Sequence, residues 1–512
     1  MTGPVALPRL QRTAAQALPE MVVPTAPEPM PDLRLLELNA PLASRLGLDP
    51  DALRSPAGVA LLGGRIDDQG RPLGAGEPLP EQPFTLAQAY AGHQFGQLNP
   101  LLGDGRALLL GEISTPEGTT VDLHAKGTGR TRFSRGGDGR APLGPMLREL
   151  VVGDALHALG IPTTRALAVL TTGEDVQRQR PRPEPGAIMV RVADSHLRVG
   201  SFGLAALHGD ADLRRRLVDT AIARHHPTCA TAKNPTLELL RAVTRTQAEL
   251  VARWMVAGFV HGVMNTDNMT ISGQGIDYGP CAFLDEHRED AVFSSIDAEG
   301  RYRYDHQPGI ALWNLSRFAE TLLDLLDPDD PEAAVDLATE VLEGFAPRYE
   351  HSWATLMAAK LGLESEDLAR NDGTALPEVS ELSRDLLSLL QTHRVDRTRF
   401  FRLLGRGEAR ELFDRPEAFD PWSRRRDDLL ARSGRAPTDP AVRAAMDAVN
   451  PRLIPRNHAL EDAFAAAEAG DLDPVRRILT AVRDPFGEGP SFPELELPAP
   501  PDAPPVVTFC GT

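Results

Sequence analysis

Hydrophobic and polar positions recur with two different periods along this chain, and the change of period divides it. Thr120–Lys126 reads TVDLHAK, with Val121, Leu123 and Ala125 on one face and Asp122, His124 and Lys126 on the other. That is the period of two that a strand requires. Ala107–Ser114 (ALLLGEIS) is a short apolar run, and Pro116-Glu117-Gly118 lies between the two. The pair predicts a β-hairpin with Lys126 at the polar-face end of its second strand. Arg165–Thr171 and Ala187–Ala193 (AIMVRVA) predict two further strands. Leu143, Met146, Leu147, Leu150, Val151, Ala155 and Leu159 follow helical spacing until Gly160-Ile161-Pro162 stops it. From about residue 205 helical spacing dominates, over 211–225, 236–262, 311–326, 332–345, 379–392, 441–448 and 458–482.

The remaining stretches carry turn chemistry. The first thirty residues are rich in Pro and Ala and predict an irregular arm. Leu33–Leu38 is an apolar run of either type, Asn39 caps a short helix closed by Gly47, and Asp49-Pro50-Asp51 predicts a turn. Residues 56–85 are rich in Gly and Pro and read as loop. The predicted organisation is α+β: an N-terminal extension (1–80), a strand-bearing lobe (81–205), a larger helical lobe (206–482) and a Pro-rich tail (483–512). There is no internal repeat. Small-molecule sites favour the junction of two such lobes.

Composition narrows the function. The chain has 512 residues and a formal charge of −18, which repels polyphosphate and argues against general nucleic-acid binding. It holds no apolar run of membrane-spanning length and no compact apolar segment near Met1, so neither a membrane span nor a secretory signal is expected. Three cysteines, Cys229, Cys281 and Cys510, suit a reducing compartment, and a cytoplasmic protein is the expectation. No Cys-x-x-Cys or Gly-x-Ser-x-Gly pattern occurs, which removes the usual zinc and serine-hydrolase signatures. The basic residues comprise 51 arginines and only three lysines, Lys126, Lys233 and Lys360. Codon bias accounts for the ratio, so a single arginine carries little signal, whereas Lys126 in a glycine-rich motif carries more.

Several constellations bear chemistry. Leu102-Gly103-Asp104-Gly105-Arg106 lets the backbone approach an anion, and serves equally as a tight turn. Lys126-Gly127 to Gly139-Arg140 gathers five glycines with Arg130, Arg132, Arg135 and Arg140, and Arg148 just beyond. It suits an anion cradle, or a solvated basic loop. Glu149, on the helix after this loop, is placed to pair with Lys126 and aim it at phosphate, or to lie on the surface. Arg191 and Arg198 can fork onto phosphate oxygens. His261 to Asn268 (HGVMNTDN) followed by Ile276-Asp277-Tyr278-Gly279 offers Asp267, Asn268 and Asp277 as hard oxygen ligands suited to Mg²⁺; a capping Asp and a turn would also account for it. The layout matches a kinase catalytic loop followed by Asp-Phe-Gly, except that Val263 stands where the catalytic Asp belongs, leaving Asp267 as the substitute base. His124 and His225-His226 lack metal-ligand spacing and read as structural.

These motifs together resemble the selenoprotein O family, kinase-fold proteins that act as protein adenylyltransferases. The matching stretches are Tyr90–Gly96 (YAGHQFG), Leu102–Arg106, Lys126–Gly127 through Gly137–Arg140, Leu159–Ala166, Val190–Ala193, Ser195–Arg198, Val260–Met269, Ile276–Pro280, Gly300-Arg301-Tyr302, Asn450-Pro451-Arg452 and Ala467–Asp471, in collinear order over roughly residues 31–512.

The resemblance implies a two-lobed protein-kinase-like fold in which ATP lies flipped. AMP, rather than phosphate, then passes to a Ser, Thr or Tyr hydroxyl of a protein, with pyrophosphate leaving. It implies that Gly103, Gly105, Arg106, Lys126, Asp138, Gly139, Arg191, Arg198 and Asp277 hold ATP, with Glu149 paired to Lys126. It further implies Asn268 and Asp277 as ligands of Mg²⁺ (or Mn²⁺), and Asp267 as general base. Phosphotransfer by a divergent kinase and a non-catalytic nucleotide-binding pseudokinase are the alternatives. Relatives commonly carry a cysteine where this chain has Val292-Phe293-Ser294, so a disulfide from that position to Cys510 cannot form. Cys281 or a partner protein remains to pair with Cys510, or the tail cysteine has no role.

Overall fold

The computed structural model describes residues 7–74, 76–178, 181–363, 375–500, 506 and 508. Its centre is an antiparallel seven-stranded sheet in the order β1-β3-β6-β7-β9-β8-β2. The strands are β1 (Val22–Pro24), β2 (Arg34–Leu38), β3 (Leu86–Gln88), β6 (Ala107–Ser114), β7 (Thr120–Lys126), β8 (Arg165–Val176) and β9 (Glu184–Ala193). Two small two-stranded sheets stand apart: β4 (Gly92–Gln94) with β5 (Gln97–Asn99), and β10 (Phe259–Val260) with β11 (Ala282–Phe283). Helices make up most of the chain after residue 198. The fold is thus mixed α/β. No helix among the described residues is long and apolar enough to cross a membrane.

The β6–β7 hairpin forms over the predicted residues, with Ala107 opposite Lys126 and Ser114 opposite Thr120. Its apolar face, Val121, Leu123 and Ala125, packs in a core with Leu42, Leu61 and Leu62 from the first 65 residues. Its polar face is also buried: Asp122, His124 and Lys126 are 3%, 1% and 8% exposed. Alternation in β7 therefore separates a dry core from an ionic interior.

The helix Leu143–Ala158 covers that second face. It is apolar nearly all round because it is buried on both sides. Leu147, Leu150 and Val151 share a core with Val169 and Met189 of the sheet, and with Leu460, Phe464, Ile478 and Leu479 from the helices Asn457–Glu468 and Asp473–Val482. The end of the chain thus returns to brace the strand-bearing region.

Several elements differ from the sequence expectation. The Gly/Pro-rich stretch expected as loop begins with a helix, Pro56–Leu62, because Ser55 accepts from the Gly58 N–H and Pro56 sits in the first turn, where its missing N–H costs nothing. Asp49 caps another helix, Pro50–Arg54, where a turn was expected. The supposed irregular arm supplies β1 at one sheet edge, and the Leu33–Leu38 run supplies β2 at the other. The long helix Pro235–Ala257 stops short of residue 262 because Gly258 turns left-handed at φ 72°. Gly470 (φ 97°) divides 458–482 into two helices. The helices Phe345–Lys360, Arg397–Leu404 and Asp420–Arg432 were not expected.

Candidate active site

Lys126 ends β7 beside β9, where His124 faces Arg191 in register. The Lys126 ammonium pairs with the Glu149 carboxylate, and its Nζ lies 2.7 Å from Asp277 Oδ1. Arg191 Nη2 reaches the same two acids, Glu149 Oε2 at 2.7 Å and Asp277 Oδ1 at 2.6 Å. Two cations and two carboxylates thus close into one cluster, buried except at Asp277, which is half-buried, with Arg198 Nη1 at 3.9 Å from Asp277 Oδ2. Asp277 holds a left-handed backbone at φ 66°, a conformation that only the surrounding contacts make affordable. Burial pushes the Asp277 carboxyl up, but Arg191, Lys126 and Arg198 outweigh it and hold it well below the usual carboxylate range. Glu149 is likewise lowered, with Lys126 and Arg191 overcoming burial.

Asp267 is set differently. It sits in the tight turn Thr266–Asn268 after β10. Its Oδ1 is buried with no hydrogen-bond partner, and its Oδ2 receives only a long bond from Gln94 Nε2, at 3.5 Å. Burial dominates here and pushes its pKa up to about 6. Arg198 serves its main chain, donating from Nη1 to the Asp267 carbonyl at 3.0 Å, while its guanidinium lies 4.4 Å over the Tyr90 ring. Asn268 Nδ2 donates to the Val263 carbonyl at 3.0 Å.

A cavity of about 720 Å³ joins these groups. Gly103, Gly105, Arg106, Lys126, Asp138, Gly139, Glu149, Arg191, Arg198, Asp267, Asn268 and Asp277 all line it, as does Val263. Seven cationic side chains line it against five carboxylates, a local reversal of the chain's net charge. Of the Gly/Arg-loop arginines, Arg135 and Arg140 reach the cavity. Arg148 instead leaves the site to bind Asn457 and Glu461, at 2.8 and 2.7 Å. The loop needs its glycine at 139, where φ is 68° and a Cβ would stand 2.0 Å from the Gly129 carbonyl oxygen. Asp138 is held by Arg178 at 2.8 Å and caps the Arg140 N–H.

Asp267, Asn268 and Asp277 supply oxygen donors on one cavity wall, and the orphaned Asp267 Oδ1 is a buried acceptor awaiting a cation or a proton. Among the described residues no three His, Cys, Asp or Glu side chains close on one point. Such a donor set fits a hard divalent ion that completes its shell with water and substrate phosphates, as Mg²⁺ does.

The model of the family described as "Protein adenylyltransferase SelO" matches residues 10–483. The chain belongs to the SelO family. Relatives named "Protein nucleotidyltransferase YdiU" cover nearly all of it. That of Pseudarthrobacter chlorophenolicus is 50% identical over 505 residues (97% of each chain). That of Mycolicibacterium smegmatis is 51% identical over 502 residues (97% of each). That of Chromobacterium violaceum is 50% identical over 505 residues, 97% of this chain and all of the relative. The SelO-family chain is accordingly an enzyme of the protein nucleotidyltransferase class.

Sequence reasoning missed several groups in this SelO-family site. Asp104 and His124 line the cavity and pair at 3.0 Å, and His124 stacks on His196 at 4.2 Å. The period of two that singled out Lys126 places His124 on the same face, and that was the available signal. Arg178 gave none, and Tyr90 stood at the head of a matching stretch without an assigned role. Cys229 and Cys281 are buried free thiols, and Cys510 lies outside the described residues. Thr508 nevertheless bonds beside Ser294, its N–H reaching the Phe293 carbonyl at 2.9 Å. The tail thus meets the segment expected from the resemblance, without a cysteine there.

Proposed function

We propose that the cavity binds ATP with Mg²⁺ or Mn²⁺, and that the enzyme transfers AMP to a Ser, Thr or Tyr hydroxyl of a protein, on a two-lobed kinase-like fold working in the cytoplasm. The observation that carries this reading is the Asp267 carboxylate, its Oδ1 without a partner, in the same cavity as the Lys126–Glu149–Asp277–Arg191 cluster. Asp267 is a buried base without a cationic partner of its own, in a cavity whose lining carries a modest cationic excess, seven cationic side chains against five carboxylates. The first group accepts a proton and the second holds phosphates.

In this reading Lys126 and Arg191, fixed by Glu149, bind the polyphosphate, with Arg106, Arg198 and the loop around Asp138 and Gly139 completing the cradle. Gly103 and Gly105 let the backbone come close. The bound metal, held by Asn268 and Asp277, supplies charge neutralisation to the phosphates. Asp267 takes the hydroxyl proton as the acceptor oxygen bonds to the α-phosphorus. The bond from that phosphorus to the β-phosphate bridging oxygen breaks, and pyrophosphate leaves into the basic wall. Val263 occupies the place where a kinase would hold its base, which favours this geometry over γ-phosphate transfer.

ATP labelled at either the α- or the γ-phosphate tests the reading. Protein labelled from the α-position only is expected; label from the γ-position only overturns it in favour of a kinase. Asp267→Ala is expected to lower transfer by about 10² or more, whereas a bare nucleotide-binding module has no transfer to lose.

A further inference from the structure

Two sequence motifs have no assigned contact with nucleotide or metal, Tyr90–Gly96 and Gly300–Tyr302, and the fold brings them together beside Asp267. The β4–β5 hairpin turns through Phe95 and Gly96, both left-handed at φ 52° and 83°. A phenylalanine is uncommon there, and it is held by partners. The His93 N–H donates to Thr266 Oγ1 at 2.7 Å, and the Phe95 N–H to Asn265 Oδ1 at 3.2 Å and to the Tyr302 hydroxyl at 3.0 Å. The Tyr302 hydroxyl donates to Asn265 Oδ1 at 2.6 Å, and its ring packs 5.1 Å from that of Phe95. The hairpin is therefore bolted to the residues just before Asp267, and Gln94 and Phe95 line the cavity.

Outward from this anchor the surface changes character. Leu98 on β5 is 48% exposed, and Ile296 on the cavity rim is 55% exposed. β5 has β4 on one side and, among the described residues, no strand on the other. Beneath the turn, the Arg301 guanidinium lies 4.8 Å over the Trp313 ring. Neighbouring Arg303 and Arg317 pair with Asp305 and Glu320, but Arg301 pairs with no carboxylate among the described residues, and its buried Nε lacks a partner.

We infer that this hairpin and the Gly300–Tyr302 turn form the platform for the acceptor protein. An extended acceptor segment lies along the open edge of β5 against Leu98 and Ile296, with an acidic side chain near its hydroxyl residue paired to Arg301. An open strand edge takes an extended peptide, and an arginine stacked on an aromatic ring takes a carboxylate. The inference rests on the protein-acceptor reading of the site, but its test separates the two.

Three unstructured peptides carrying one serine flanked by Asp, Asn or Lys are incubated with the full chain and with ATP labelled at the α- or γ-phosphate. Wild type is expected to favour the Asp-flanked over the Lys-flanked peptide by about fivefold in kcat/KM, the range of a partly exposed ion pair. Arg301→Glu should reverse the order and Arg301→Gln should flatten it, with KM for ATP unchanged in both. Equal rates for the three wild-type reactions, or the same order in Arg301→Glu, overturn the inference. Label arriving from the γ-phosphate overturns AMP transfer instead, and the charge preference is then read from that label.

Discussion

A carbon attached to Gly92 would stand 2.3 Å from Oδ1 of Asp267. Gly92 opens β4, and its missing side chain is what gives the buried carboxylate its place. Gly92→Ala is expected to displace Asp267 and lower AMP transfer by about 10², while ATP affinity, read by calorimetric titration, stays near wild type. An unchanged kcat would remove Asp267 from the chemistry.

The same carboxyl leaves a mark on stability in the metal-free and nucleotide-free protein. It ionises near its ordinary 3.8 when unfolded and near about 6 when folded, so the folded state holds the proton more tightly. The destabilisation is absent below the lower value, grows as pH rises between the two, and is complete above the upper one. Asp267→Asn should therefore stabilise the chain by roughly 3 kcal/mol at pH 8 and by little near pH 4. Urea unfolding at both values checks this, and an equal gain at both would show that burial does not raise this carboxyl.

Lys126 and Glu149 act as one unit with Arg191 and Asp277. Lys126→Ala and Glu149→Ala are each expected to lower kcat/KM for ATP by about 10². Together they should lose little more than either alone, since the lysine is aimed by the acid it would no longer meet. Strictly additive losses would mean that the two work separately.

Lys360 illustrates the opposite use of a buried lysine. It is 6% exposed, its Nζ lies 4.5 Å from the centre of the Phe401 ring, and burial, then Arg397, pushes its pKa down to about 7. The unfolded chain binds that proton up to about its ordinary 10.5. The destabilisation is thus full below the folded value and fades as pH rises between the two. Lys360→Met should stabilise by on the order of 3–5 kcal/mol at pH 6 and distinctly less at pH 10, as read from thermal melts.

Much of this geometry was legible in the sequence. The alternation of TVDLHAK placed Lys126 on the strand end where it lies, and the residues expected to hold nucleotide or metal or to act as base line one cavity, whereas Arg130, Arg132 and Arg148 of the basic stretch do not. What stayed hidden was set by contacts distant in sequence. Arg178, one of 51 arginines, is distinguished only by reaching Asp138 across 40 positions. The helix Pro56–Leu62 was obscured because Pro and Gly signal a loop unless a cap such as Ser55 precedes them. The interior polar face of β7 could not be told from a solvated one, because the helix Leu143–Ala158 that covers it also needs the far end of the chain.

That return of the chain bears on synthesis. The helix bearing Glu149 is clamped by Asn457 and Glu461 through Arg148, and its outer face is covered by Leu460, Phe464 and Leu479. A nascent chain on the ribosome therefore carries the basic loop, Lys126 and Asp277 long before the residues that seat Glu149 have emerged. The packing that seats the helix of Glu149 is therefore complete only once residues 457–479 are in place.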